Sequence, residues 1–233
     1  MTLSASKSVL SNLHNKFQGE RVFILGTGPS LDSIPDEVWG RLRAEHNFGV
    51  NLVANYRRLG YIPDLYAVSE LSWWFNEDHI NEVAGELRGV PPIKFYCWGN
   101  PIADRRFSEW VWVRSKEWGD GEDGGDFQGL GEEFPYVLDG VSVVTCAIQI
   151  ACWLGFEGIY LLGCDASGKG HARSLNVNEN DYNREPQEKF IEFCNMAERA
   201  IFDGGRALIN LSEPSALEIK RFRIEDILGR RGG

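Results

Sequence analysis

Residues Arg21–Leu31 read RVFILGTGPSL, and this stretch sets the terms for the rest of the chain. Val22, Phe23, Ile24 and Leu25 are four apolar residues in a row, two of them β-branched. Such a run has no polar face, so it predicts a strand covered on both sides, as in a parallel sheet between helices. Gly26-Thr27-Gly28-Pro29-Ser30 then ends it. The glycines permit a tight turn and a close approach to the backbone, and Asp32 and Ser33 offer oxygens for a short helical turn. A strand entering such a turn is a frequent phosphate site, because unpaired N–H groups converge there. GTGPSL is not a full GxGxxG, since position 31 is Leu, and no GK[ST] follows. From spacing alone, nucleotide binding and a plain structural turn both stand.

Similar units recur downstream. Residues 3–18 predict a short amphipathic helix, with Val9, Leu10, Leu13 and Phe17 at helical spacing and Gly19 as its stop. Asp36–Glu45 reads as a helix, Asn47–Val53 as a strand that ends at Asn51 or soon after, Leu65–Val68 as a strand, and Ser72–Leu87 as a helix carrying Trp73 and Trp74. Ile93–Trp98 and Trp110–Val113 read as further strands. Gly140-Val141-Ser142 opens the strongest helix, with Val144, Ala147, Ile148, Ala151 and Leu154 in phase and Gly155 at its end. Gly158–Leu162 is a buried strand stopping in Gly163-Cys164-Asp165, and helix followed by strand suits a crossover onto a parallel sheet. Glu188–Phe202 reads as an amphipathic helix and Ala207–Leu211 as the last strand. A short tail follows, frayed from Gly229.

The chain of 233 residues suffices for one sizeable core. The expected organisation is an N-terminal helix over 1–20 and one domain over 21–228. Its variable region, 72–135, holds an acidic, Gly-rich surface loop at 119–133. A formal charge of −10 argues against a broad nucleic-acid or anionic-membrane surface. No stretch approaches the roughly 18 apolar residues of a membrane span. The five cysteines are scattered, odd in number and without CxxC, which reads as buried thiols in a cytoplasmic protein. No HExxH or Cys/His zinc spacing occurs.

In open α/β sheets ligands sit beyond the carboxyl ends of the strands. Asn51, Glu70 and Asp165 each follow such an end, and Ser142 stands near a helix start. With backbone donors from 26–30, this set suits a nucleotide: donors for phosphate, an amide for base or ribose, a carboxylate for a ribose hydroxyl or a metal. Each also has a plainer reading, as a turn amide, a solvated charge or a cap. His171 can be a general base toward an acceptor hydroxyl or simply a loop residue.

VFILGTGPSL, FGVN, IPDLYAVSE, DGVSVVTCAIQIACWLGFEGIYLLGCD and GGRALINLSEPSAL, in that order, resemble the MptE-like family. That family includes archaeal 6-hydroxymethyl-7,8-dihydropterin pyrophosphokinases and a domain of flagellin-glycosylating motility factors. The chain is also similar to the bacterial single-domain sialyltransferases, which share the GxGPSL turn, an Asn after the second strand and the LG[FY]xxIYLxGxD segment. The likeness spans 21 to about 220 and is weak over 72–135. It implies an α/β fold, a Rossmann-like, mostly parallel sheet with helices on both faces in a single domain. It implies a nucleotide donor, CMP-sugar or ATP. Gly26, Thr27, Gly28, Pro29 and Ser30 would surround its phosphates or ribose, Asn51 and Ser142 would meet the nucleotide, and Gly163 and Asp165 would close the site. Glu70 stands where relatives often carry Asp, a metal or substrate ligand. Departures are Thr27, where the sialyltransferases usually have Asn, and the phosphate-holding tyrosines, for which Tyr182 is the only nearby candidate.

The expectation is therefore a transferase, first a glycosyltransferase using a nucleotide-sugar donor, with His171, Asp165 and Glu70 as catalytic candidates. The alternatives are a Mg²⁺-dependent pyrophosphokinase acting on a hydroxymethyl compound, with Glu70 and Asp165 on the metal, and a non-catalytic nucleotide-binding or assembly module. The acceptor is not legible, and homo-oligomerisation is left open.

Overall fold

The computed structural model describes residues 9, 11–68, 85, 93–98, 110–117, 136–139, 142–168, 172, 175 and 188–229. Its strands are β1 (Arg21–Leu25), β2 (His46–Val50), β3 (Leu65–Val68), β4 (Ile93–Trp98), β5 (Val111–Glu117), β6 (Tyr136–Asp139), β7 (Gly158–Leu162) and β8 (Ala207–Asn210). They form one sheet in the order β6-β5-β4-β3-β2-β1-β7-β8, and every pairing is parallel. The helices are α1 (Asp36–Leu42), α2 (Val143–Leu154), α3 (Glu188–Asp203) and α4 (Ile224–Gly229). Short 3₁₀ turns follow β1 at Pro29–Ser33 and β2 at Asn51–Asn55.

Alternation along the strands splits the interior into two cores. Val22, Ile24, Phe48, Val50, Ala67, Phe95, Ile159 and Leu161 face α2 and α3. Phe23, Leu25, Tyr66, Val68, Tyr96, Leu162 and Ile209 face α1, α4 and the 3₁₀ turns. The sheet is thus covered on both faces, which is why β1 needs an unbroken apolar run. α2 is buried almost all round and crosses β1, β2 and β3, so it carries no polar stripe. Its Ser142 cap lies toward the carboxyl edge of the sheet, because Gly155 ends it beside the start of β7.

Several expectations change. Over the N-terminal helix expected at 1–20, Val9 and Ser11 are helical, while 12–19 forms turns with Asn15 at φ +55° and Gly19 at φ +83°. The second strand stops at Val50, just short of the end expected at Asn51 or soon after. Asn51 takes φ +45° and swings Leu52 and Val53 into the opposite core from Val50. β6 and α4 were not foreseen, and α1 ends at Leu42, short of Glu45. The helix expected over Ser72–Leu87 and the loop at 119–133 lie outside the described residues apart from Gly85. All five cysteines are buried free thiols. Among the described residues no helix is long and apolar enough to cross a membrane.

Candidate active site

β1 and β7 are neighbours, yet the chain leaves β1 toward β2 on one side and β7 toward β8 on the other. This is the point where strand order reverses, and crevices beyond the carboxyl ends of strands open at such points. The turn after β1 and the turn after β7 meet there.

The two turns interlock through their glycines. A Cβ on Gly26 would lie 2.4 Å from the Gly163 carbonyl oxygen, and one on Gly28 would lie 2.5 Å from Asp165 Oδ2. Gly163 itself sits at φ +65°, and a Cβ there would press on Leu31. The glycines of GTG therefore make room for a second strand's turn.

The amide inventory points the same way. Gly26 N–H donates to Leu162 O at 2.7 Å and Gly28 N–H to Gly163 O at 2.7 Å. Pro29 has no N–H, and Ser30 N–H donates to Asp165 Oδ2 at 2.8 Å. The expected row of phosphate-binding amides over 26–30 is thus largely taken within the protein, because the two turns must satisfy each other's polar groups once buried. Thr27, Gly28 and Pro29 remain half-buried, while Gly26 and Ser30 are enclosed, so 27–29 is the part of the turn a ligand can reach. The Thr27 carbonyl accepts from Ala172 N–H at 2.8 Å, which brings the segment after β7 back over the turn.

Asp165 is 4% exposed. Its Oδ1 accepts a very short bond from Ser30 Oγ, and its Oδ2 takes the Ser30 amide. Burial raises its pKa from the ordinary value, and the two Ser30 bonds oppose that rise. A third turn, after β8, locks the pair from behind. Ser212 Oγ accepts from Cys164 N–H at 3.0 Å, and Ser215 Oγ and Ala216 N–H both donate to the Asp165 carbonyl, at 3.1 and 2.7 Å. Ala166, the next residue, is held at φ +51°.

Asn51 stands two residues beyond Gly49, whose register partner is Leu25, so it lies at the same edge as the interlocked turns. Its left-handed backbone is fixed by Tyr66, whose Oη donates to Asn51 O at 2.5 Å and accepts from Ala54 N–H at 2.9 Å. Full burial pushes the Tyr66 phenol well up, so it stays neutral and can do both. Gly49 makes this possible, since a Cβ there would lie 2.6 Å from the Tyr66 ring. Two non-glycine residues in left-handed backbone at one sheet edge, Asn51 and Ala166, mark a place where surrounding contacts hold a costly conformation.

Ser142 caps α2: its Oγ accepts from Val144 N–H at 3.3 Å. The helix N-terminus points its positive end toward this edge. Glu70 and His171 lie outside the described residues, as does Tyr182. The structure thus brings together Gly26, Thr27, Gly28, Pro29, Ser30, Gly163 and Asp165, with Asn51 on the adjacent strand. Tyr66, Ala166, Ser212 and Ser215 were not foreseen as site residues. The SEPS turn after the last strand was the one signal for the serines, and nothing in LYAV marks Tyr66. Among the described residues no cluster of His, Cys, Asp and Glu could hold a metal ion.

A groove of about 920 Å³ opens at the other edge, among the starts of β1, β2, β3, β4 and β7. It carries the Arg21–Glu45 and His46–Glu20 pairs, at 2.9 and 2.5 Å. It is remote from every strand end considered above.

No family model matches the chain, and no curated protein matches it. Its fold is similar to that of the sialyltransferase CstII from Campylobacter jejuni. In complex with the substrate analogue cytidine-5'-monophosphate, that enzyme aligns over 89% of this chain and 86% of its own, with a TM-score of 0.53 and 16% identity. In complex with CMP-3FNeuAc it aligns over 88% and 87%, again with a TM-score of 0.53 and 16% identity. At such identity the likeness is one of fold: an α/β domain built on a parallel sheet.

Proposed function

We propose that the chain is a glycosyltransferase that takes a nucleotide-sugar donor, of the CMP-sugar kind, beyond the carboxyl ends of β1, β2 and β7. The observation that carries this reading is the interlocking of the turns after β1 and β7 where the strand order reverses, with strained Asn51 beside them. The fold shared with a sialyltransferase crystallised with CMP supports it. Thr27 and Pro29 would line the donor, Asn51 would meet the nucleotide, and the start of α2 would lend its positive end to the phosphate. In the transfer, an acceptor hydroxyl oxygen bonds to the sugar's anomeric carbon while the bond from that carbon to the phosphate oxygen breaks. The nucleotide leaves with the electron pair, and His171 is the candidate to take the hydroxyl proton. Glu70 is the candidate to hold the acceptor.

No observation favours pyrophosphoryl transfer. Asp165, one of its two expected Mg²⁺ ligands, has both carboxylate oxygens engaged by Ser30. The test is thermal melting with CMP, UDP, GDP, ADP and ATP, each with and without Mg²⁺. At a hundredfold excess over Kd a native-state ligand raises the midpoint by about 5–10 °C for a domain of this size. Stabilisation by CMP without metal is expected. Stabilisation by ATP only with Mg²⁺, or by none of the five, would overturn the reading.

A further inference from the structure

We propose that Asp165 is a positioning residue, which leaves the donor untouched and fixes, through Ser30, the form of the Gly26–Ser30 turn that binds it. This rests on the glycosyltransferase reading above.

A carboxylate that met a ribose or a metal would need an oxygen turned to the crevice. Asp165 is almost wholly enclosed instead. It is 4% exposed, Oδ1 is taken by the Ser30 hydroxyl and Oδ2 by the Ser30 amide. Ser30 is equally enclosed, at 4%. The contact is therefore enclosed, whereas Thr27, Gly28 and Pro29 are half-buried.

Asp165 is itself anchored from the turn after β8. Its carbonyl receives Ser215 Oγ and Ala216 N–H, and the amide of Cys164 before it is held by Ser212. The turn after β8 thus holds Asp165 and Asp165 holds Ser30, which anchors the C-terminal end of the turn, while the bonds from Gly28 N–H to Gly163 O and from Ala172 N–H to Thr27 O hold the rest. Gly28 shows how close the fit is, since the space for its Cβ is filled by the carboxylate. Charge suits the task, because a carboxylate accepts two bonds from one residue, and charge-assisted bonds are the stronger kind.

The experiment combines a double-mutant cycle with a local probe. Wild type, Asp165→Ala, Asp165→Asn, Ser30→Ala and the double variant Ser30→Ala/Asp165→Ala are titrated with CMP by calorimetry. The Ser30 amide proton is followed by ¹⁵N-resolved NMR. Asp165→Ala is expected to weaken CMP by about tenfold and Ser30→Ala by less, because the residue-30 amide can still donate to Asp165 Oδ2; the double variant should weaken it no more than Asp165→Ala alone, because the second change removes a bond already lost. Asp165→Asn should weaken it less than Asp165→Ala, since its Oδ1 can still accept the Ser30 amide and its Nδ2 can donate to Ser30 Oγ. The Ser30 amide should shift upfield in Asp165→Ala. If Asp165→Ala fails to fold, the cycle is run with Asp165→Asn.

Additive losses would overturn the proposal by showing that Asp165 meets the donor on its own. A lowered melting temperature with unchanged CMP affinity would overturn it by reducing the contact to fold stability. CMP binding with a Ser30 amide indifferent to Asp165→Ala would overturn the clamp alone. A wild type that ignores CMP while its Ser30 amide still responds to Asp165→Ala would overturn the donor reading, and the positioning role with it.

Discussion

At the residue scale, Asp165 is a charge kept out of water by its neighbours. Its pKa is raised in the fold, so its stabilising contribution is full below the ordinary value of 3.8 and is lost as pH rises through the folded-state value. Asp165→Asn has the same shape and does not titrate. The stability advantage of wild type over Asp165→Asn should therefore shrink as pH rises from below 3.8 to 7, measured by urea denaturation at each pH. Parallel curves would show that the carboxyl titrates the same in both states. Asn51 illustrates the other local device. Asn tolerates the left-handed region better than most residues, which is how β2 ends abruptly with Tyr66 holding the carbonyl.

At the element scale, α2 combines a buried body with a sharp start and stop. Ser142 accepts from Val144 N–H, and Gly155 closes the helix at φ +96°. Ser142→Ala should cost about 0.5–1 kcal/mol of unfolding free energy, at the lower end of cap losses because the bond is long at 3.3 Å. A loss of CMP affinity with no loss of stability would instead assign the hydroxyl to the ligand. The elements legible in the sequence were those with continuous or strictly periodic apolar patterns: β1, β3, β4, β7, β8, α2 and α3. β6 was missed because Tyr136–Asp139 follows closely on the acidic, Gly-rich stretch read as loop. β2 was drawn too long because Leu52 and Val53 are apolar for another reason, the second core. At the site, the sequence revealed which glycines and which Asp matter but not what they touch. Gly26 and Gly28 look the same in a chain whether a phosphate or a neighbouring turn fills the space beside them. Only the pairing of β1 with β7 decides that, and it joins residues more than a hundred positions apart.

At the scale of the whole molecule, the strands at the reversal point are covered by neighbours on both sides. Val22, Phe23, Ile24 and Leu25 have no exposed surface, and Ile159 and Leu161 none either. Native-state hydrogen exchange should find the β1, β2 and β7 amides opening only with global unfolding, and the β6 amides exchanging faster at the far edge. Fast exchange in β1 would mean that the reversal point is loose, which would remove the rigid base the proposed site requires.

The opposite edge has its own guard. Asn210 N–H donates to Lys220 O, and Phe222 N–H donates to Asn210 O, so the chain bends back and closes the outer side of β8 at its carboxyl end. An open strand edge is a template for any other extended segment. Here residues 220–222 act as a built-in stopper: a foreign strand could add at that point only by first peeling this segment away. Growth of the sheet into larger assemblies by strand addition is thereby discouraged at the β8 end.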